Sequence, residues 1–219
     1  MSSIHPYISR LLPFLAAVLT VFALPAWAQG DLQEGKQYTR LKIAQPVETG
    51  NKIEVIEFFS YGCPHCADLE PILDTWLKTV PPDVQLRRVP VLFQDRWVAL
   101  AKVYYTLDAL GEEARLTPDV FAAIHKQGVN LASDKTFFDW AATKGLDRKK
   151  VEDMYNSFGI AGKVNRAKSV GGAYNVQSVP YVIVDGKFAT ASDRVGTHAA
   201  LPAAIDSLIA KARTERAKH

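Results

Sequence analysis

The 219-residue sequence predicts an α/β fold: a central mixed β-sheet interrupted by an inserted helical subdomain. Two observations carry this reading. Three segments, residues 52–59, 84–93 and 179–184, are rich in β-branched and aromatic residues, as strands are, and residues 94 to about 174 between the second and third read as helix throughout. A crossover between parallel strands needs only about a dozen residues, so a run of helices in that interval is an insertion. The formal net charge of +3 is too weak for the basic footprint of a nucleic-acid binder.

At the start of the chain, Arg10 supplies a positive flank, residues 11–24 are almost wholly apolar, and Ala26-Trp27-Ala28 has the small-x-small form of a cleavage site. Residues 1–28 are therefore expected to be a signal peptide removed after Ala28. The alternative is a membrane anchor, but the apolar run is shorter than the roughly 20 residues a spanning helix needs. No later segment is apolar enough to span, so the mature chain is expected to be soluble and outside the cytoplasm. A polar lead follows, with a short strand near residues 38–43. Residues 52–59 then form a strand buried on both faces, and residues 66–78 place Leu69, Ile72, Leu73, Trp76 and Leu77 at helical spacing, with Pro64 suited to the first turn. Val80-Pro81-Pro82-Asp83 stops that helix, and residues 84–93 make a second strand whose Pro90 marks its end or an edge. Helices are expected over 97–110, 118–127, 135–143, 148–157 and 162–174, broken at Gly111, Gly128, Gly145 and Gly159, with starts at Thr117-Pro118 and Ser133-Asp134. Residues 179–184 return to strand, Asp185-Gly186 signals a hairpin, 187–191 run back, and 199–218 form an amphipathic last helix.

The chain's two cysteines lie three apart in Gly62-Cys63-Pro64-His65-Cys66, at the junction of strand and helix. A bridge between them closes too small a loop to constrain the unfolded chain much, which makes a structural staple a poor explanation. Two thiolates with one histidine wedged between them cannot complete a tetrahedral zinc site. A redox-active pair with no metal and no bound cofactor is the expectation. The helix that starts at the motif aims unpaired N–H groups and its positive end at Cys63, His65 adds a donor or a positive charge, and Pro64 shapes the turn. Cys63 is thus the expected exposed nucleophile and Cys66 the less accessible resolving thiol, the reverse assignment being the alternative. A favoured thiolate stabilises the reduced form and makes the disulfide more oxidising.

Val-Ile-Glu-Phe-Phe-Ser-Tyr-Gly-Cys-Pro-His-Cys at residues 55–66, the helical insertion, and Val179-Pro180 with the following Gly186-Lys187 together resemble the DsbA family over nearly the whole mature chain. The resemblance implies a thioredoxin-like fold assembled from residues 29–93 and 175–219, with 94–174 as the insertion. It implies a periplasmic enzyme that donates its Cys63-Cys66 disulfide to reduced, newly exported proteins and is reoxidised by a quinone-linked membrane partner of the DsbB type. The dipeptide Tyr61-Gly62 departs from the bulky aromatic pair of the best-known member. An X-Pro bond at the start of a strand is open to either isomer; the resemblance implies a cis Val179-Pro180 bond, with the Val179 backbone pairing with an extended substrate peptide.

Glu57 is the odd residue of the first core strand. By itself it reads as a partly wet carboxylate or as a buried one that accepts or relays a proton from Cys66; the resemblance, with an acidic residue at this place, favours the second. Arg88 on the neighbouring strand is a candidate partner. His125 and His198 have no partner at ligand spacing and are expected to be satisfied or solvated. Trp97, Phe121, Phe137, Phe138 and Trp140 fit a helical core, some of them lining an apolar patch near the cysteines. The competing functions are a reductase or isomerase on the same fold and a non-enzymatic peptide-binding chaperone. Isomerases of this class carry a dimerisation segment, for which the lead before Val55 leaves little room, and a monomer is expected.

Overall fold

The structure, a computed structural model, describes residues 32–218; the segment read as a signal peptide lies outside the described residues. The sheet has five strands in the order β1-β5-β4-β2-β3, where β1 is Thr39–Arg40, β2 Ile53–Phe59, β3 Val84–Pro90, β4 Tyr181–Val184 and β5 Phe188–Thr190. Strand β2 runs parallel to β3 and antiparallel to β4, so the sheet is mixed.

Every residue of β2 is buried, as its near-continuous apolar run requires of a strand covered on both faces. Its side chains alternate between two cores. Ile53 and Val55 pack with Leu69, Leu73 and Trp76 of α1 (Pro64–Leu77) and with Leu201, Ile205 and Leu208 of α8 (Leu201–Arg216). Ile56 and Phe58 pack on the opposite face with Val89, Ile183 and Ala167 of α6 (Phe158–Ala173). The same alternation sends Glu57 to the α1 face, where the cysteines are. At the β4–β5 turn, Asp185 and Gly186 both have positive φ, 56° and 63°, as the central residues of a primed hairpin turn must. A Cβ on Gly186 would also sit 2.1 Å from the Gln45 carbonyl oxygen.

Between β3 and β4 lie α2 (Asp95–Ala109), α3 (Glu113–His125), α4 (Asp134–Thr143), α5 (Arg148–Tyr155) and α6. Several boundaries differ from the sequence expectation. The β3 strand stops at Pro90, after which the Val91 N–H still donates to Phe59 O at 2.8 Å. Thr117-Pro118 lies inside α3, not at its start: the helix begins with Glu113, an acidic first-turn residue favoured by the dipole, and burial of Leu116 and Thr117 offsets the missing proline N–H. Gly159 breaks nothing, because α6 starts at Phe158, capped by Ser157 Oγ accepting from the Ile160 N–H at 3.3 Å. Val179-Pro180 precedes β4, β1 has two residues where 38–43 was expected, and the last helix is preceded by α7 (Ser192–Val195) and a 3-10 turn, His198–Ala200. No helix among the described residues is long and apolar enough to cross a membrane.

Candidate active site

Strand β2 ends at Phe59 and delivers the chain into Ser60-Tyr61-Gly62, a turn closed by the Cys63 N–H on Ser60 O at 3.0 Å and the Gly62 N–H on Ser60 Oγ at 3.1 Å. Cys63 is the N-cap of α1 and Pro64 its first residue, so Cys63 stands at the positive end of the helix. Gly62 is required by closeness: a Cβ there would lie 2.6 Å from Trp97 Nε1. Both cysteines are free thiols. Cys63 is 6% exposed and Cys66 0%. The expected order of accessibility therefore holds, but the expected open exposure of Cys63 does not. Its side chain packs into the same cluster as Phe59, Tyr61 and the insertion helices, and its Sγ lies 3.6 Å from Val179 O.

The two thiols are electrostatically unlike. Cys63 is lowered to about 6. The largest cause is the hydrogen bond from the Cys66 thiol; the backbone N–H groups of Cys66 and His65 and the charge of His65 add to it, and burial opposes it. Cys66 is pushed strongly up by burial, by the hydrogen bond and charge of Cys63, and by Glu57.

Beneath the pair, Glu57 is 1% exposed, so it is a buried carboxylate. Its candidate partner is in place, since Arg88 Nε donates to Glu57 Oε2 at 3.0 Å. That contact is one arm of three, for Arg88 also donates to Glu70 of α1 and Glu113 of α3, each at 2.8 Å. Burial raises Glu57 more than Arg88 lowers it. Glu70 is raised to about 7 by burial, with Glu57 and Glu113 adding and Arg88 opposing. Burial opposes the charge of Arg88, yet the three carboxylates keep it above its ordinary value. Glu54, one of the two carboxylates of β2, is equally buried on the other face and accepts from Arg87 Nε at 3.0 Å.

The Val179-Pro180 bond is cis, Val179 is half-buried and Pro180 buried. His65 is exposed and borders, with Val179 and Pro180, a cavity of about 370 Å³. On the other side of the motif a groove of about 780 Å³ runs between α1 and α3 past Pro64, Pro71, Phe121 and His125. His125, which the sequence left as uninformative, holds the turn: its Nε2 lies 2.8 Å from Tyr61 O. Tyr61 is fixed at its other end by Thr117 Oγ1 at 2.8 Å. His198 is satisfied by Ser192 Oγ at 2.7 Å from its Nδ1. Glu70, Glu113 and Thr117 carried no sequence signal, because they reach the site from α1 and α3, far in sequence from the partners they meet there. Phe121, Phe137, Phe138 and Trp140 are core residues; Trp97 is half-buried against Gly62, with exposed Phe93 stacked on it at 5.6 Å.

The sequence profile of the DSBA-like thioredoxin domain matches residues 54–201, from β2 to the start of α8. The chain belongs to the DsbA family. It is 39% identical to the thiol:disulfide interchange protein DsbA of Bordetella parapertussis over 207 residues, 94% of this chain and 97% of that one. The DsbA of Pseudomonas aeruginosa is 39% identical over 178 residues, 81% of this chain and 84% of its own. The crystal structure of Pseudomonas aeruginosa DsbA superposes with a TM-score of 0.82 at 38% identity, covering 86% of this chain and 98% of that one. Reduced DsbA1 of Neisseria meningitidis gives 0.77 at 29% identity, over 86% and 98%. As a DsbA-family member the chain is a thiol:disulfide oxidoreductase, with the thioredoxin-like fold and helical insertion of its relatives.

Proposed function

We propose that this chain is a periplasmic dithiol oxidase that donates the Cys63-Cys66 disulfide to reduced, newly exported proteins. The observation that carries the direction is the asymmetry of the two thiols, Cys63 lowered to about 6 at the head of α1 while Cys66 is raised in the core. A substrate thiolate attacks Cys63 Sγ, the disulfide breaks, and Cys66 leaves as a thiolate that takes up a proton, with Glu57 as its source or relay. The mixed disulfide on Cys63 is then resolved when a second substrate thiolate attacks the substrate sulfur, forming the substrate disulfide and releasing the Cys63 thiolate. Two substrate thiols are oxidised and the enzyme disulfide is reduced. Stabilisation of the departing Cys63 thiolate by Cys66, His65 and the helix end favours this direction.

Val179 supports a docking role for the cis-proline loop, because its carbonyl faces Cys63 Sγ and an extended peptide could pair with its backbone. Exposed Phe93 with Trp97 supplies an apolar surface next to the motif for an unfolded chain. Reoxidation falls to a quinone-linked membrane partner of the DsbB type, and residues 1–28 act as the export signal. Residues 94–174 are read as an insertion into a thioredoxin-like domain made of 29–93 and 175–219, and the protein works as a monomer without a bound cofactor.

The deciding experiment is the equilibrium of the Cys63-Cys66 pair with glutathione redox buffers. A potential well above that of thioredoxin, about −270 mV, is the expected result; a value at or below it would make the protein a reductant. Cys63→Ser is expected to abolish exchange, whereas a pure peptide-binding chaperone would keep its activity.

A further inference from the structure

His65 and Asp68 stand three residues apart near the start of α1 and so project from one side of the helix. Facing them, His198 opens the 3-10 turn that precedes α8, its ring centroid 6.1 Å from that of His65. One nitrogen of each imidazole and one carboxylate oxygen of Asp68 all lie within 4.8 Å of one another. Neither His65 nor Asp68 has a side-chain hydrogen bond or ion pair among the described residues. His198 is different: its Nδ1 is held at 2.7 Å by Oγ of buried Ser192, which fixes the ring and leaves Nε2 as the nitrogen able to bind. An imidazole oriented through its second nitrogen is the arrangement found behind metal-ligating histidines.

We propose that His65, Asp68 and His198 form a binding site for a divalent transition metal of the zinc class. Two imidazoles and one carboxylate suit zinc, nickel or copper, whereas magnesium and calcium prefer all-oxygen sets. Ligand atoms around tetrahedral zinc, with bonds of about 2.0–2.2 Å, lie roughly 3.3 Å apart. The gap to close is therefore at most about 1.5 Å, within reach of rotamer changes in the exposed side chains of His65 and Asp68. Three protein ligands leave the fourth position to solvent, the form of an open rather than a closed zinc site. The set contains no thiolate, so it is distinct from the two-cysteine arrangement that the motif spacing rules out. It borders the cavity lined by Val179, Pro180 and Asp193.

The test is calorimetric titration of zinc into untagged full-length protein carrying Cys63→Ser and Cys66→Ser, in which sulfur cannot contribute, with cobalt(II) absorption as the second readout. The expected result is one ion per chain and a cobalt spectrum without the sulfur charge-transfer band. Asp68→Asn and His198→Ala should each weaken binding at least tenfold, with Ser192→Ala weakening it about tenfold through the loss of ring orientation. Asp68 is exposed, so its substitution leaves the fold intact and keeps the test decisive, and His198→Gln repeats it at the other ligand. Unchanged affinity in Asp68→Asn and the His198 variants overturns the proposal. So does metal binding seen only in the reduced wild type, with a sulfur charge-transfer band.

Discussion

Cys63 and Cys66 have the same side chain and opposite acidities, and the difference comes from one turn of helix. Cys63 sits where backbone N–H groups converge; Cys66 is enclosed behind it, with a carboxylate nearby. Thiolate absorbance of the reduced protein should therefore rise with a midpoint near pH 6, from Cys63 alone, and vanish in Cys63→Ser; a midpoint near the ordinary thiol value would remove the basis for an oxidising pair. In the proposed mechanism Glu57 acts through Cys66 and not on the substrate, so Glu57→Gln should slow exchange, on the order of 10²-fold, and alter its pH dependence while the Cys63 titration stays in place. An unaltered rate and pH profile would show that Glu57 is structural only. The cysteine pair, His65 and Glu57 were legible in the sequence because they fall within ten residues of one another on a strand, turn and helix with clear periodicities. Val179-Pro180 was legible only through family resemblance. His125, Thr117, Glu70 and Glu113 were not, since nothing local marks a side chain whose partner, Tyr61 or Arg88, lies on a distant turn or strand.

At the level of elements, Arg88 joins β2, β3, α1 and α3 by holding Glu57, Glu70 and Glu113 at once. Three carboxylates on one guanidinium, Glu57 and Glu70 buried and Glu113 half-buried, carry excess negative charge, and Glu70, raised to about 7, is where a proton relieves it. Arg88→Met should destabilise the protein by about 3–5 kcal/mol, the cost of stranding buried charges, measured by denaturant unfolding at pH 7. Glu70 has the opposite sign from a paired surface carboxylate. Its folded value lies above its unfolded value of 4.5, so the folded state holds the extra proton and stability falls as pH rises from 4.5 through about 7. Glu70→Gln keeps an acceptor for Arg88 without the charge, and should flatten that part of the stability profile, a slope of no more than about 3 kcal/mol in all. An identical slope in the variant would assign the titration elsewhere. The strands and the order of helices were legible from periodicity, whereas the helix starts misled wherever burial outweighed a local signal, as at Pro118 in α3 and Gly159 in α6.

Across the whole molecule, the helical insertion completes the core around the cysteines: Cys63 and Cys66 share one cluster with Leu100, Val120, Phe137 and Tyr155. Chemistry at the motif is therefore tied to the stability of the entire fold. The disulfide closes so small a loop that it constrains the unfolded chain little, while the reduced form gains whatever the folded state contributes to the Cys63 thiolate. That contribution has a defined pH window. The folded value of about 6 lies below the ordinary 9.0, so stabilisation is complete above pH 9, shrinks as pH falls, and is gone below about 6. At pH 7 it amounts to about 1.4 kcal/mol, one unit of ionisation, or roughly 3–6 °C in melting temperature for a chain of this size. Calorimetry of the two redox forms should show the reduced protein melting higher at pH 8, less so at pH 7, and the gap closing toward pH 5. A gap independent of pH would mean that the oxidising power comes from strain or packing in the disulfide form, and that the thiolate is a consequence of the fold and not the source of its redox preference.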